Sequence, residues 1–160
     1  MENRPSEVYA FQPDYTWNGV EVRRYKPQEG GWEGISRQVI TGWGHETRFQ
    51  VRYFEISESG YSSLEKHGHA HVVMCLRGSG EVVVGEERVT LRLHDVLYLK
   101  PWEPHQFVNH GHEPFGFLCV VDGERDRPQP VSGVELKRIQ EGSAGSIVKV
   151  DAPVLQPAQE

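Results

Sequence analysis

Between residues 47 and 121 the chain breaks into short runs of β-branched and aromatic residues, each ended by a turn, with no room between them for crossover helices. The first run, 47–56, stops at the turn-forming Ser57-Glu58-Ser59-Gly60. Further segments follow at 70–76, 80–84, 88–93, 95–99, 105–109 and 115–121. Strands this short and this closely spaced pair antiparallel, so the pattern predicts an all-β sandwich or small barrel. The 17 glycines and 10 prolines fit that prediction, because both residues punctuate many short strands. At 160 residues there is material for one compact core, with extensions at its ends.

Residues 1–34 mix aromatics with Pro5, Pro13 and Pro27 and hold no sustained period, which predicts an irregular arm packed across the barrel. The run Arg23-Arg24-Tyr25-Lys26 reads as a solvated edge. The barrel proper is expected over 35–122 and a C-terminal extension over 123–160. Ser132 followed by Glu135 fits a capping box, with Leu136 and Ile139 one turn apart and Gly142 as a stop, so one short helix is expected there. The last ten residues are expected to fray.

A net charge of −6 argues against a dedicated nucleic-acid binder, which needs a basic surface to neutralise phosphates. No apolar stretch approaches the roughly 20 residues that span a bilayer, and the first residues lack the apolar core of a secretion signal, so the expectation is a cytoplasmic protein without a membrane partner. Cys75 and Cys119 lie in apolar runs without metal-finger spacing and read as reduced core thiols. No Gly-x-Ser-x-Gly elbow or phosphate-cradling loop opens a helix.

The segment Glu65-Lys66-His67-Gly68-His69-Ala70-His71 places four candidate ligands on alternate residues, which share one face of a strand. Imidazoles with a carboxylate suit Mn, Fe, Co, Ni, Cu or Zn, whereas Ca and Mg ask for oxygen. On a straight strand His67 and His71 would stand about 13 Å apart, so a bend is required, and Gly68 can supply it. His105, after the rigid turn 100–104, is the candidate from a distant strand. The expected ligands are Glu65, His67, His71 and His105, with His69, the residue at the bend, as the alternative to Glu65. His45, His94, His110 and His112 fall in turns and read as solvated.

These features resemble the cupin superfamily. Gly60 and Gly78 bracket the cluster as the first cupin motif requires, with Glu65 and His67 at the paired-histidine positions and His71 where an acidic ligand usually stands. The second motif is similar over Asp95-Val96-Leu97-Tyr98-Leu99, Pro101, Pro104, His105 and Asn109. The resemblance implies a double-stranded β-helix, or jelly-roll barrel, holding one divalent transition metal. Mn or Fe comes first, and Zn, Ni, Co and Cu are admitted. It also implies a small-molecule substrate or ligand. Small manganese-binding cupins that use a histidine at the His71 position carry an inward arginine and cysteine near the metal, and Arg52 and Cys119 match these. The family's habits imply a dioxygenase acting on an enol or phenol, with Phe54, Tyr98, Phe107 and Phe117 walling an apolar pocket. The alternatives are a metal-dependent isomerase or epimerase with His69 as base, and a non-catalytic ligand-binding module. An open barrel edge and a long arm point to a homodimer.

Overall fold

A computed structural model describes residues 4–27, 29–42 and 44–150. Trp43 and the final ten residues, where fraying is expected, lie outside the described residues. The elements in order are β1 (Val22–Arg24), β2 (Glu33–Thr41), β3 (Phe49–Tyr61), β4 (Glu65–Lys66), β5 (His71–Arg77), β6 (Gly80–Val84), β7 (Glu87–Leu91), β8 (Val96–Leu99), β9 (His105–Val108), β10 (Phe115–Asp122), β11 (Gln129–Pro130) and α1 (Gly133–Glu141). All strand pairs are antiparallel, and the main sheet path runs β11-β4-β9-β3-β10-β5-β8. The strand β2 adds to β3, and the β6–β7 hairpin adds to β9. This is the expected all-β barrel with one short C-terminal helix.

Cross-strand partners face the same side of a sheet. The partners Arg37–Phe54–Phe117 and Val39–Arg52–Cys119 therefore form successive inward layers across β2, β3 and β10. Beside them His71, Val73 and Cys75 alternate inward on β5. The inner end of the barrel is an apolar plug that includes Ile56, Val82, Leu99 and Phe115, each fully buried. A second, smaller core of Leu64, Val83, Val131, Ile139 and Ile147 seats α1 on the outside.

The structure corrects the sequence expectations in several places. The segment 57–60 is a corner within β3, which runs on to Tyr61 and there pairs with β9. Ser59 takes the left-handed conformation, and Gly60 packs so closely that an added Cβ would lie 2.7 Å from the Glu33 carbonyl oxygen. The strand thus passes from one sheet to the other without ending. No strand was expected before residue 47, yet β2 is nine residues long and carries β1 on its edge. The rest of the arm is irregular, as expected, and Tyr15 stacks on Tyr53 while Trp17 packs against it at a tilt, burying an outward-facing tyrosine to 1% exposure. Lys26 is no solvated edge residue, because it reaches a half-buried ion pair with Glu65. Nor does the barrel's business end at Asp122: the chain returns over the mouth, where β11 pairs with β4.

Ser132 caps α1 through the reciprocal capping box with Glu135, as expected. Cys75 and Cys119 are free and buried. No helix among the described residues is long and apolar enough to cross a membrane.

Candidate metal centre

The histidines are brought together by a bend, not by the alternation of one strand. β4 ends at Lys66 and β5 begins at His71, leaving 67–70 outside any strand. The Gly68 amide donates to Asp126 Oδ2 at 2.7 Å, and the Trp102 amide donates to the His67 carbonyl at 2.8 Å, so both sides of the bend are pinned. A Cβ on Gly68 would stand 3.0 Å from the Trp102 ring. The bend turns the rings of His67, His69 and His71 onto one point, and β9, paired with β4, brings His105 into a second group with Glu65 and His67, its ring 4.8 Å from that of His67 and 5.1 Å from that of His71.

All four rings are buried, at 3–9% exposure. His67 Nε2 lies 2.9 Å from His71 Nε2. The partner of each Nδ1 fixes the tautomer. His67 Nδ1 faces the His69 carbonyl at 3.3 Å, His105 Nδ1 faces the Glu103 carbonyl at 2.9 Å, and His69 Nδ1 faces Asp126 Oδ1 at 2.9 Å. These partners only accept, so each Nδ1 carries the hydrogen and each Nε2 keeps its lone pair. His71 Nδ1 lies 3.1 Å from Cys119 Sγ. Two nitrogens bound to one ion at 2.0–2.1 Å sit roughly 3 Å apart when their bonds are near perpendicular, which the His67–His71 separation matches. The group can hold a divalent transition ion. Glu65 also stands near His67 and His105, but its carboxylate is engaged by Lys26.

Burial pulls the pKa of His67 down to about 4, helped by the neighbouring His105 and His69. Burial likewise lowers His71 and His105, His71 with help from both neighbouring rings and His105 against a pull upward from the Glu103 carbonyl and Glu65. Unfolded histidine titrates near 6.5, so between that pH and about 4 the unfolded chain binds more protons than the folded one. Stability is therefore full above the window and is lost as pH falls through it. For the metal-free protein, His67 alone is expected to contribute a loss of about 3 kcal/mol. Urea midpoints measured at pH 7.5 and 4.5 check this, and coincident midpoints would contradict it.

Beside the histidines opens a cavity of about 580 Å³. Its apolar wall is the stack Phe54–Phe117–Phe107, with ring centroids 5.6 and 4.4 Å apart. Tyr98, expected in this wall, is not there: it lies on the outer face of β8, 63% exposed, because the inward positions of that strand fall to Leu97 and Leu99. Arg52 and Cys119 both face the cavity, with Arg52 Nη2 3.6 Å from Cys119 Sγ and its guanidinium over the Phe54 ring. Burial pushes the Cys119 thiol up, and Arg52 opposes that rise.

Asp126, which orients His69, has no signal in the sequence, because the polar, proline-bearing stretch 123–130 reads as the end of the barrel. Arg37 and Arg125 have none either: Arg37 lies on the unread strand β2 and Arg125 on the returning loop. His94, His110 and His112 are exposed, as expected, whereas His45 is half-buried and bonded to Tyr9 and the Gly42 amide.

A jelly-roll barrel with inward histidines from its β4–β5 bend and from β9 is the architecture of a cupin. The chain belongs to the cupin superfamily, and its residues 52–121 match the family described as cupin domain. It is 38% identical over 136 residues to 1-methylthio-D-xylulose 5-phosphate methylsulfurylase of Rhodospirillum rubrum, covering 84% of this chain and 86% of that protein. Among solved structures it resembles a cupin 2 conserved barrel domain protein from Rhodopseudomonas palustris, with a TM-score of 0.77 and 36% identity over 84% of this chain and 97% of the other. A cupin-2 domain protein from Rhodospirillum rubrum gives a TM-score of 0.73 and 35% identity over the same shares.

Proposed function

We propose that this chain is a metal-dependent enzyme that removes a methylsulfanyl group from the carbon beside the ketone of a small phosphorylated ketose. The observation that carries the proposal is the placement of Cys119 against His71 and Arg52 inside the histidine-lined cavity. The reaction class is the one named for the 38%-identical relative. The metal ligands in this reading are His67, His71 and His105, with His69 preferred over Glu65 because its Nε2 is free while Glu65 answers Lys26. Mn or Fe is the preferred ion. When bound, such an ion supplies Lewis acidity toward the ketone oxygen.

Cys119 acts on sulfur. Its thiolate attacks the methylsulfanyl sulfur, the carbon–sulfur bond breaks, and the electron pair passes into the adjacent carbonyl. Protonation of that carbon leaves a methyl ketone, and Cys119 is left as its methyl disulfide. An external low-molecular-weight thiol then takes the methylsulfanyl group as a mixed disulfide and restores Cys119. Metal binding at His71 Nε2 would leave the hydrogen on Nδ1, pointed at Sγ, so His71 and Arg52 both donate toward the thiolate. A dioxygenase or isomerase reading leaves Cys119 and its two donors without a role. A cytoplasmic location, where thiols stay reduced, suits turnover through a free thiol.

Incubating the metal-loaded protein with 1-methylthio-D-xylulose 5-phosphate and a thiol is expected to convert the methylsulfanyl signal in proton NMR into a new methyl-ketone signal, and chelation is expected to stop it. Unchanged substrate would overturn the reading. The homodimer belongs to the same proposal: Val72, Met74, Val96 and Tyr98 form an exposed apolar strip on β5 and β8. A sedimentation mass of one chain would remove it.

A further inference from the structure

The cavity contains more positive charge than the metal chemistry requires. Arg37, Arg52 and Arg125 all line it. Arg37 and Arg52 project inward from adjacent strands, in successive layers. The Nε of each is buried without a hydrogen-bond partner. Arg125 reaches in from the loop after β10 and bonds only neutral acceptors, Gln50 Oε1 at 2.8 Å and the Asp122 carbonyl at 2.7 Å. No ion pair among the described residues includes any of the three. Two of the nearby acids are already engaged, Glu65 by Lys26 and Asp126 by His69 and the Gly68 amide.

Arg37 and Arg52 are half-buried, and Arg125 stands exposed on the returning loop; a partly desolvated cation with no counter-charge costs free energy, and like charges side by side add to that cost. Burial, and then the charge of Arg52, lowers the pKa of both Arg37 and Arg125. Such a cluster is electrostatically incomplete until an anion enters it. Three guanidinium groups exceed what one carboxylate needs, since a single bidentate arginine satisfies it, but they suit a dianion with three terminal oxygens.

We propose that Arg37, Arg52 and Arg125 form a phosphate subsite on the β2–β3 wall of the cavity, which takes the terminal phosphomonoester of the substrate. This assignment rests on the reading of the substrate as a phosphorylated ketose. The spacing supports it. His71 stands on β5, and β3 lies two strands away across β10, roughly 10 Å at 4.7–4.9 Å per strand. A five-carbon chain held by its ketone at the histidines reaches that wall with its far end. The carbon–sulfur bond of such a substrate lies on the side of the ketone away from the phosphate, and Cys119, whose Sγ is 3.1 Å from His71 Nδ1, stands at the ketone-binding end.

The test is calorimetric titration of the full, metal-loaded chain with D-xylulose 5-phosphate and with D-xylulose. The phosphorylated sugar is expected to bind and the free sugar to bind at least a hundredfold more weakly. Arg37→Gln and Arg125→Gln should each weaken D-xylulose 5-phosphate roughly tenfold to hundredfold, the range for a hydrogen bond to a charged group. Affinity for D-xylulose and metal content should not change. Arg37→Lys keeps the charge and should recover part of the loss, which a misfolded variant would not. Inorganic phosphate should compete with the phosphorylated sugar in the parent and not in the double glutamine variant.

Equal affinity for the two sugars, or wild-type affinity in both glutamine variants, would overturn the subsite. The two proposals fail separately. A chain that binds the sugar phosphate through these arginines but leaves the methylsulfanyl substrate intact keeps the subsite and loses the reaction. A chain that cleaves the substrate with unchanged KM in both variants keeps the reaction and loses the subsite.

Discussion

Replacing Cys119 with serine is expected to leave the barrel folded and the metal bound while lowering the rate of methylsulfanyl removal at least about a thousandfold. The substitution exchanges one atom at a position only 2% exposed, so packing changes little. The chemistry changes greatly, because a serine hydroxyl is neither readily ionised nor thiophilic. If the thiol merely filled the core, the variant would turn over like the parent. Two readouts separate the cases. The rate follows the methyl-ketone signal, and elemental analysis follows the metal. A third uses the parent alone: without external thiol, a single turnover should add the mass of one methylsulfanyl group to the peptide bearing Cys119. The absence of that adduct together with a fully active C119S chain would remove Cys119 from the reaction. Arg52 acts beside it, since its guanidinium is the second donor near the sulfur.

Much of this was legible in the sequence, for a simple physical reason. Alternation of apolar and polar residues reports which face of a strand is buried, so β5 to β10 could be placed within a residue or two. The pair Ser132 and Glu135 announced the helix because a capping box is a local hydrogen-bond pattern. What failed was whatever depends on distant chain. β2 went unread although the barrel was expected from residue 35, because its inward positions include Arg37, a residue that local pattern assigns to solvent. The corner in β3 looks like a terminus, since Ser and Gly serve both purposes and only the neighbouring Glu33 backbone distinguishes them. Tyr98 was expected inside because it is aromatic, but parity along β8 decided its direction.

The histidines illustrate both cases. Their spacing pointed to one cluster and required a bend at Gly68, which the structure has, but the preference for Glu65 over His69 was drawn without Asp126 and Lys26, which bear on it. Those two residues lie 57 and 39 positions from their partners, in segments without periodic signal.

That choice leads to the second large effect. His105→Ala is expected to lower metal affinity by more than about a hundredfold, beyond the 10–100-fold typical of losing an outer hydrogen-bond partner, because it removes a donor whose Nε2 the Glu103 carbonyl has already oriented. Glu65→Gln is the matched control, since it keeps the shape of the side chain and removes the charge. If His69 completes the set, Glu65→Gln should retain the metal, and its loss should appear as a freed Lys26 and a modest change in stability. If Glu65 is a ligand, the two variants should lose metal alike. Asp126→Asn separates the possibilities further, because the Asp126 carboxylate is what holds the hydrogen on His69 Nδ1. With an amide there, the His69 ring is no longer held in one tautomer, and affinity should fall about 10–100-fold only if His69 binds the ion. The measurement is competition against a chelator of known affinity. Wild-type affinity in D126N combined with loss in E65Q would transfer the fourth position to Glu65, while His105 would remain the contribution of the distant strand.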